Sequence, residues 1–371
     1  MKTYLFAAVA VILTLVFPSC KKEWKPGIPL AKEKVKIAVI HINDPFSDTY
    51  SYSYAHETGI KEMQENIGLE NEQIIRKTNV YDGDLLEVEG AMLDSIAEGA
   101  NIIIATSWGY MDACEKLAAK FPSVIFAHAT GNKYNSFNFT NYSIRFYQAR
   151  YLAGIVAGLQ TKTGKIGYVA AMGKNNSEVT GGINAFALGV EEVNPEARVY
   201  VRVTFSWYDP MGETDAANAL IAAGCDIITQ HSNTPYPQMA SQRAGVWGIG
   251  YGRDMLDDAP DAVLTSVVPR WGALYTRLVG NIIKGTFSPA LYFDGLAEGA
   301  VDITPLNEEL VVPGIETAVE TARQRIARGD FNVFNGVLET NDKTFIGEAG
   351  KTLSDEVILN GINWYYRNVI E

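Results

Sequence analysis

The chain has 371 residues and a formal net charge of -12. A single hydrophobic core rarely grows beyond about 250–300 residues, so this length predicts two lobes. The acidic balance argues against a nucleic-acid partner, because recognition of a phosphate backbone requires clustered lysine and arginine side chains. Cys114 and Cys225 lie in helical and apolar contexts and are predicted to be core thiols, and no Cys/His spacing indicates a metal site.

The first twenty residues carry a pattern typical of export. Lys2 precedes a largely apolar run over residues 4–17, and Ser19 and Cys20 follow at once. The run is too short for a membrane span, so residues 1–19 are predicted to be a signal peptide. We expect Cys20 to carry lipid and residues 20–34 to tether the protein to a membrane of the cell envelope, facing the periplasm or the exterior. An ordinary cleaved secretory peptide is the alternative.

Short β-branched runs alternate with helical patterns along the rest of the chain. A first series predicts strands at 35–40, 73–80, 101–106 and 123–127 and helices at 54–66, 85–98 and 111–120. A second series predicts helices at 147–159, 179–193, 214–223 and 237–244 and strands at 165–171, 199–205, 226–230 and 246–250. Repeated βαβ units require parallel sheets with helices on both faces. The pattern therefore predicts an α/β protein of two lobes, each a doubly wound parallel sheet, and the stretch 347–371 reads as a packing helix.

The ligand crevice of an open parallel sheet lies beyond the carboxyl ends of its strands. Aromatic, amide, hydroxyl and carboxylate side chains follow the predicted strand ends, a mixture that suits a flat polar ligand. The candidate contacts there are Asp48, Ser107, Trp108, Gly109, Asn175, Trp207, Asp209, His231, Asn233 and Asp254, and Tyr54 and His56 join them from the start of the first helix.

Several of these candidates also have a purely structural interpretation. Aromatic residues near strand ends, such as Trp108 and Trp207, often fill the core. Asp209 precedes Pro210 and could only cap the next helix, and a lone histidine such as His231 is often a satisfied structural residue.

Catalytic signatures are missing from the sequence. It contains no Gly-x-Ser-x-Gly turn, no Gly-x-x-x-x-Gly-Lys loop and no Gly-x-Gly-x-x-Gly after the first strand. The four histidines have no accompanying nucleophile pattern. Binding without chemistry and without a cofactor is the better interpretation.

Six motifs stand out along the chain. They are Thr106-Ser-Trp-Gly-Tyr-Met111, Phe126-Ala-His-Ala-Thr-Gly131, the run from Arg145 to Gly158, Gly182-Ile-Asn-Ala-Phe186, Ser206-Trp-Tyr-Asp-Pro210 and Gln230-His231. Together they resemble the basic membrane protein family of ABC-transporter substrate-binding lipoproteins. The resemblance extends from about Val35 to the C-terminus. It implies a type I periplasmic-binding-protein fold of two hinged lobes, a purine nucleobase or nucleoside as ligand, and delivery to a membrane permease driven by an ATPase.

The resemblance also bears on the choice of ligand. Ser53-Tyr54-Ala55-His56-Glu57 is similar to the branch that takes purine bases such as adenine. Gly252 stands where relatives carry an aspartate, and Pro269, next to Arg270 and Trp271, stands where the nucleoside branch carries a lysine. A missing carboxylate removes the acceptor for a ribose diol, at about 1–3 kcal/mol for each lost polar contact. A nucleobase or another flat heterocycle is therefore favoured, and Trp271 becomes a further candidate contact.

We expect lobe 1 to comprise residues 35–142 and 269–293, and lobe 2 residues 143–268 and 294–371, with three crossings as the hinge. In the predicted mechanism Trp108 and Trp207 hold the ring between them, while Asp48, Asn175, Asn233 and Asp254 contact its edge. Closure of the lobes then creates the surface that the permease recognises. A ligand-sensing lipoprotein that signals to a membrane partner, or a nucleoside-cleaving enzyme, are the alternatives.

Overall fold

The computed structural model describes residues 24–50 and 52–371, so the predicted signal peptide and Cys20 lie outside the described residues. The strands are β1 Ile37–Ile40, β2 Ile74–Lys77, β3 Ile102–Ala105, β4 Ile125–Ala129, β5 Phe139–Ile144, β6 Lys165–Ala170, β7 Arg198–Val203, β8 Ile227–His231, β9 Trp247–Tyr251, β10 Val263–Pro269, β11 Leu291–Asp294, β12 Val301–Ile303, β13 Leu338–Glu339, β14 Phe345–Ile346 and β15 Val369–Ile370. The helices are α1 Tyr52–Ile67, α2 Leu85–Ala97, α3 Met111–Lys120, α4 Phe146–Gln160, α5 Ser177–Val193, α6 Pro210–Ala222, α7 Tyr236–Ala244, α8 Trp271–Lys284, α9 Ile315–Ala327 and α10 Asp355–Asn360.

Two large sheets organise the protein. The first has the order β11-β5-β4-β3-β1-β2, and the second has the order β12-β10-β9-β8-β6-β7-β15. All pairings in the first sheet are parallel, and in the second only β12 runs antiparallel to its neighbour. Strands such as β1 and β3 are buried along their whole length, as parallel strands covered by helices on both faces must be. The predicted α/β architecture of two lobes is confirmed.

Helix α1 packs against α8, which returns from the far end of the chain. The two helices approach most closely at Gly59, where an added Cβ would lie 2.5 Å from the Cβ of Trp271. This long-range contact places the first turn of α8 beside the first turns of α1, next to the opening between the sheets.

Arg145 joins the chain segments that pass between the two sheets. It lies between β5 and α4, and its backbone N–H donates to the carbonyl oxygen of Asp294 at 2.7 Å. Its Nε donates to the carbonyl oxygen of Phe293 at 2.8 Å, and its two Nη atoms donate to the Asp355 carboxylate at 2.6 and 2.8 Å. One arginine thus ties together two crossings and the C-terminal segment.

The sequence predicted fifteen of the sixteen strands and helices from β1 to β9, missing β5, and predicted the later part of the chain poorly. The helix at 111–120 was predicted to the residue, and Cys114 and Cys225 are buried free thiols as predicted. The prediction of a packing helix over 347–371 is wrong, because only Asp355–Asn360 is helical and Val369–Ile370 adds a strand to the second sheet. The aromatic rings of Tyr365 and Tyr366 are nevertheless buried. Among the described residues, no helix has the length and apolar character required to span a membrane.

Candidate functional site

A cavity lies between the two sheets, beside the carboxyl ends of their strands. It is lined by Tyr50, Tyr52, Ala55, Phe146, Asn233, Tyr251, Gly252, Arg253 and Pro269. The free space inside it is about 10 Å³, which is room for about one water molecule, so a larger ligand enters only when the lining side chains or the lobes move apart. The lining comes from the start of α1 on one side, from the ends of β8 and β9 on the other, and from the segments that connect them.

Aromatic rings make up much of the cavity wall. Tyr251 is buried at the end of β9, and its ring centroid lies 4.3 Å from that of His231 and 5.7 Å from that of Phe146. On the opposite side the ring of Tyr52 stands edge-on to His56 at 4.4 Å. The guanidinium of Arg253 lies 4.7 Å from the ring centroid of Tyr50. Apolar faces with few polar groups are typical of sites that hold planar ligands.

A buried carboxylate, that of Glu213, fixes the loop that follows β8. Glu213 accepts hydrogen bonds from the hydroxyls of Ser232 and Thr234, both at 2.7 Å, and from the backbone N–H of Asp209 at 3.1 Å. Burial raises the pKa of Glu213, and the hydrogen bonds from the two hydroxyls oppose that rise. The backbone N–H of Asn233 in turn donates to the carbonyl oxygen of Trp207 at 2.9 Å. The network fixes Asn233 at the cavity wall and joins it to the neighbouring loop of Trp207.

His231 lies at the centre of the second lobe's contribution to the site. Its ring is buried, and the ring of Trp207 meets it edge-on at 5.7 Å. Its Nε2 lies 3.5 Å from Oε1 of Glu178, a contact that does not have hydrogen-bond geometry. Burial and the nearby charge of Arg150 lower the pKa of His231 to about 4, although Glu178 acts in the opposite sense. His231 is therefore neutral at physiological pH.

Arg150 is a fully buried cation behind the cavity wall. One Nη donates to the carbonyl oxygen of Gln230 at 2.8 Å, and the guanidinium lies 4.6 Å from the ring centroid of Tyr251. The ion pairs of residues 24–50 and 52–371 include no carboxylate partner for it. Aromatic faces therefore provide much of its stabilisation, through cation–π contact.

His56 and Trp271 lie in the core of the first lobe. Both are buried, their rings stack at a centroid distance of 4.3 Å, and Nδ1 of His56 lies 2.5 Å from the hydroxyl of Tyr275. Burial is the main reason why the pKa of His56 is lowered. Packing between α1 and α8 accounts for the position of both rings, and their role as ligand contacts stays a prediction.

The other predicted contacts of the first lobe lie at the carboxyl edge of its sheet. Trp108 begins a short 3-10 helix after β3, and 66% of its surface is exposed. Ser107 is buried and donates to Oδ2 of Asp82 at 2.6 Å, and Gly109 packs so closely on the carbonyl of Asp82 that a Cβ would not fit. Oδ1 of Asp48 accepts from the backbone N–H of Tyr50 at 3.1 Å, and Tyr54 lies half-buried on α1.

The predicted contacts of the second lobe lie along the carboxyl edge of the second sheet. Asp209 caps α6 by accepting a hydrogen bond from the backbone N–H of Gly212, as its structural interpretation predicted. Its role as a ligand contact stays a prediction. Asn175 and Asp254 are exposed, and Trp207 is half-buried. Of all the predicted contacts, the described cavity directly includes Asn233, while Trp207 and His231 lie one contact behind it.

Sequence reasoning missed most of the cavity wall. Tyr52, Phe146 and Tyr251 lie just outside the predicted elements and were not among the candidate contacts, although each begins or ends an observed element beside the crevice. An aromatic residue at such an end was the available signal. No cluster of histidine, cysteine and carboxylate side chains that could hold a metal ion occurs within the described part of the chain.

Two parallel sheets with a small aromatic cavity at the facing strand ends place the protein in the class of periplasmic-binding-protein-like folds. Solved structures of the same fold include an ABC transporter solute-binding protein of Conexibacter woesei, at a TM-score of 0.67 and 19% identity, covering 80% of this chain and 98% of that one. A transcriptional activator of the comK gene from Bacillus halodurans has a TM-score of 0.70 at 17% identity, covering 80% and 99%. At such low identity these structures show the fold alone.

The family is shown by sequence. The family model for PnrA-like ABC transporter substrate-binding proteins matches residues 34–326, and this chain belongs to that family. A purine-binding protein of Brucella abortus is 35% identical over 343 residues, which are 92% of this chain and 95% of that protein. A Haloferax volcanii protein, whose name provisionally assigns it to glucose binding for an ABC transporter, is 30% identical over 89% of this chain and 80% of its own length. Membership implies an extracytoplasmic location and a small-molecule ligand.

Proposed function

We propose that this chain is a lipoprotein that captures a purine nucleobase between its lobes and delivers it to the permease of an ABC importer. The observation that carries the proposal is the cavity between the sheets, where aromatic rings from both sides meet a few polar groups. The 35% identity to a purine-binding protein over nearly the whole chain supports the ligand class. Stacking on aromatic faces and a few edge contacts together would hold a flat ring.

A nucleobase fits this cavity better than a nucleoside. Gly252 and Pro269, which stand where relatives are expected to carry an aspartate and a lysine, both line the cavity. Neither side chain can accept or donate a hydrogen bond to a ribose hydroxyl. A buried ribose would leave its hydroxyls unpaired at these two positions, at about 1–3 kcal/mol for each lost contact.

The proposed mechanism keeps Trp108 and Trp207 as the rings that close on the ligand. Each follows a strand at the carboxyl edge of its own sheet, and Trp108 is exposed and free to stack. Asn233, held against Trp207, is placed to contact the edge of the ring, with Asp48, Asn175 and Asp254 on the surrounding loops. A ligand that contacts both lobes favours the closed state, and that state is the one the permease recognises.

Calorimetric titration of the mature chain tests the ligand class. We expect adenine or another purine base to bind at least tenfold more tightly than its nucleoside, and glucose not to compete. Trp207→Ala should weaken binding about fivefold or more, the effect of about 1 kcal/mol of lost stacking. Trp364→Ala, which removes a half-buried indole of the C-terminal segment, is the matched control. Silence from every purine would overturn the ligand assignment.

A sugar ligand is the second candidate, favoured by the name of the Haloferax volcanii relative. Sugars also stack on aromatic faces, but their hydroxyls need many hydrogen-bonding groups. If glucose binds and all purines fail in the same titration, the sugar assignment replaces the purine assignment.

The lipid anchor has its own test. Cys20→Ser removes the thiol that would carry the lipid, and we expect the full chain to move from the membrane fraction to the soluble fraction. Retention of this variant in the membrane fraction would contradict anchoring through Cys20.

A further inference from the structure

We propose that Glu178 accepts a hydrogen bond from an N–H group of the ligand, so that the site selects heterocycles with a free ring N–H or amino group on that edge. The inference rests on the proposed function and deepens it. It assigns the recognition of the polar edge to a residue that none of the sequence motifs singled out.

Glu178 is placed at the polar end of the aromatic wall. It lies in the first turn of α5, just after the N-cap Asn176, and 33% of its side chain is exposed. Its Oε1 lies 3.5 Å from Nε2 of His231, whose ring contacts Tyr251 at 4.3 Å. Since Tyr251 lines the cavity, two contacts join the carboxylate to the cavity wall, that of Glu178 with His231 and that of His231 with Tyr251.

The first lobe contributes a second polar atom to the same region. The hydroxyl of Tyr52 is buried near Thr130, and no contact from the described residues gives it hydrogen-bond geometry. Burial raises the pKa of Tyr52, and the next largest cause is the negative charge of Glu178 on the other lobe. The carboxylate of the second lobe therefore lies near enough to this hydroxyl of the first lobe for its charge to act on it.

Two buried polar atoms are left for a ligand to satisfy. They are the hydroxyl oxygen of Tyr52 and Nε2 of His231, and the side chain of His231 is fully buried. Unpaired buried polar atoms are costly, so a site that retains them is built for a partner that pairs with them. A purine edge that presents a donor beside an acceptor matches this arrangement of carboxylate, hydroxyl and imidazole.

Glu178 has no cation to neutralise it in this arrangement. Within residues 24–50 and 52–371, its ion-pair contact is with His231, which is uncharged at neutral pH because its pKa is about 4. Burial, together with the charge of Arg150 over the ring of Tyr251, lowers the pKa of His231 and keeps it neutral. A partly exposed carboxylate next to an apolar wall is a strong acceptor, because charge-assisted hydrogen bonds are about twice as strong as neutral ones.

The test combines one variant with one modified ligand. Adenine carries an amino group and a ring N–H, whereas 6-dimethylamino-9-methylpurine keeps the ring and has no N–H. Glu178→Gln should weaken adenine binding about tenfold or more, the size of a charged hydrogen bond, and should leave the weak binding of the methylated purine unchanged. Glu196→Gln, which removes an exposed carboxylate beyond the end of α5, should bind adenine like the wild type.

The possible outcomes separate the two proposals. If the wild type binds no purine, the proposed function fails and this inference fails with it. If the wild type binds adenine and Glu178→Gln binds it equally well, the role of Glu178 is overturned while the proposed function stands. If Glu178→Gln does not fold, the affinities of the wild-type protein for the two ligands provide the test. Equal affinity for adenine and its methylated counterpart would overturn the inference, and a tenfold preference for adenine would support it.

Discussion

Glu213 offers a test of how the site is built, because one carboxylate holds the loop that carries Asn233. Replacing Glu213 with alanine removes the acceptor of two buried hydroxyls, from Ser232 and Thr234, and of the backbone N–H of Asp209. Each buried hydroxyl left without a partner costs about 1–3 kcal/mol, so the two together should lower the free energy of unfolding by about 2 kcal/mol or more. Purine affinity should fall as well, because Asn233 loses its fixed position.

Urea unfolding followed by circular dichroism measures this change, and calorimetry on the same samples measures affinity. Asp215→Ala, an exposed carboxylate on the same helix, is the control and should change stability by less than about 0.5 kcal/mol. Glu213→Gln keeps the shape and one acceptor, so its loss should be smaller than that of the alanine variant. A Glu213→Ala protein as stable as the control would refute the assignment of the loop to this network.

Two further predictions concern stability. His128 and His231 have pKa values of about 4 in the folded protein against 6.5 in a model peptide, so the unfolded chain binds more protons between these values and stability falls as the pH drops through them. Each histidine should lower the free energy of unfolding by about 2 kcal/mol between pH 7 and pH 5. His128→Gln should therefore reduce the difference in unfolding free energy that urea unfolding measures at the two pH values. An unchanged difference would contradict this account. Gly154→Ala should destabilise the second lobe by about 1–3 kcal/mol, because the added Cβ would overlap the carbonyl oxygen of Phe186. Gly280→Ala, with open space around the added Cβ, is the control and should be neutral or stabilising. Equal thermal midpoints for the two variants would contradict this prediction.

The sequence predicted those parts of the fold that depend on local pattern. Apolar runs such as Ile102–Ala105 and periodic helices such as Met111–Lys120 are recognisable without tertiary information. Strand β5 escaped prediction because it reads as polar, with Thr140, Asn141 and Ser143 all buried. Its polar side chains are satisfied by distant partners, as when the hydroxyl of Thr140 donates to the carbonyl oxygen of Ala290 at 2.7 Å.

The location of the candidate site followed from topology, but its lining did not. Parallel strands place their carboxyl ends on one edge, which drew attention to Asn233, a residue that lines the cavity, and to His231, which lies behind Tyr251. His56 looked equally suitable at the start of α1, yet the return of α8 buries it against Trp271. Which aromatic residues at element ends face the cavity depends on how the lobes and their connections pack, and this is not written in the local sequence.

A crystal structure of the mature chain with adenine tests the central claim most directly. The account predicts a planar ring between the carboxyl ends of the two sheets, in contact with Tyr251 and Asn233 and with an indole from each lobe closed over it. Adenine bound elsewhere on the surface, or a cavity still filled by the side chains of Tyr52 and Tyr251 at saturating adenine, would contradict it.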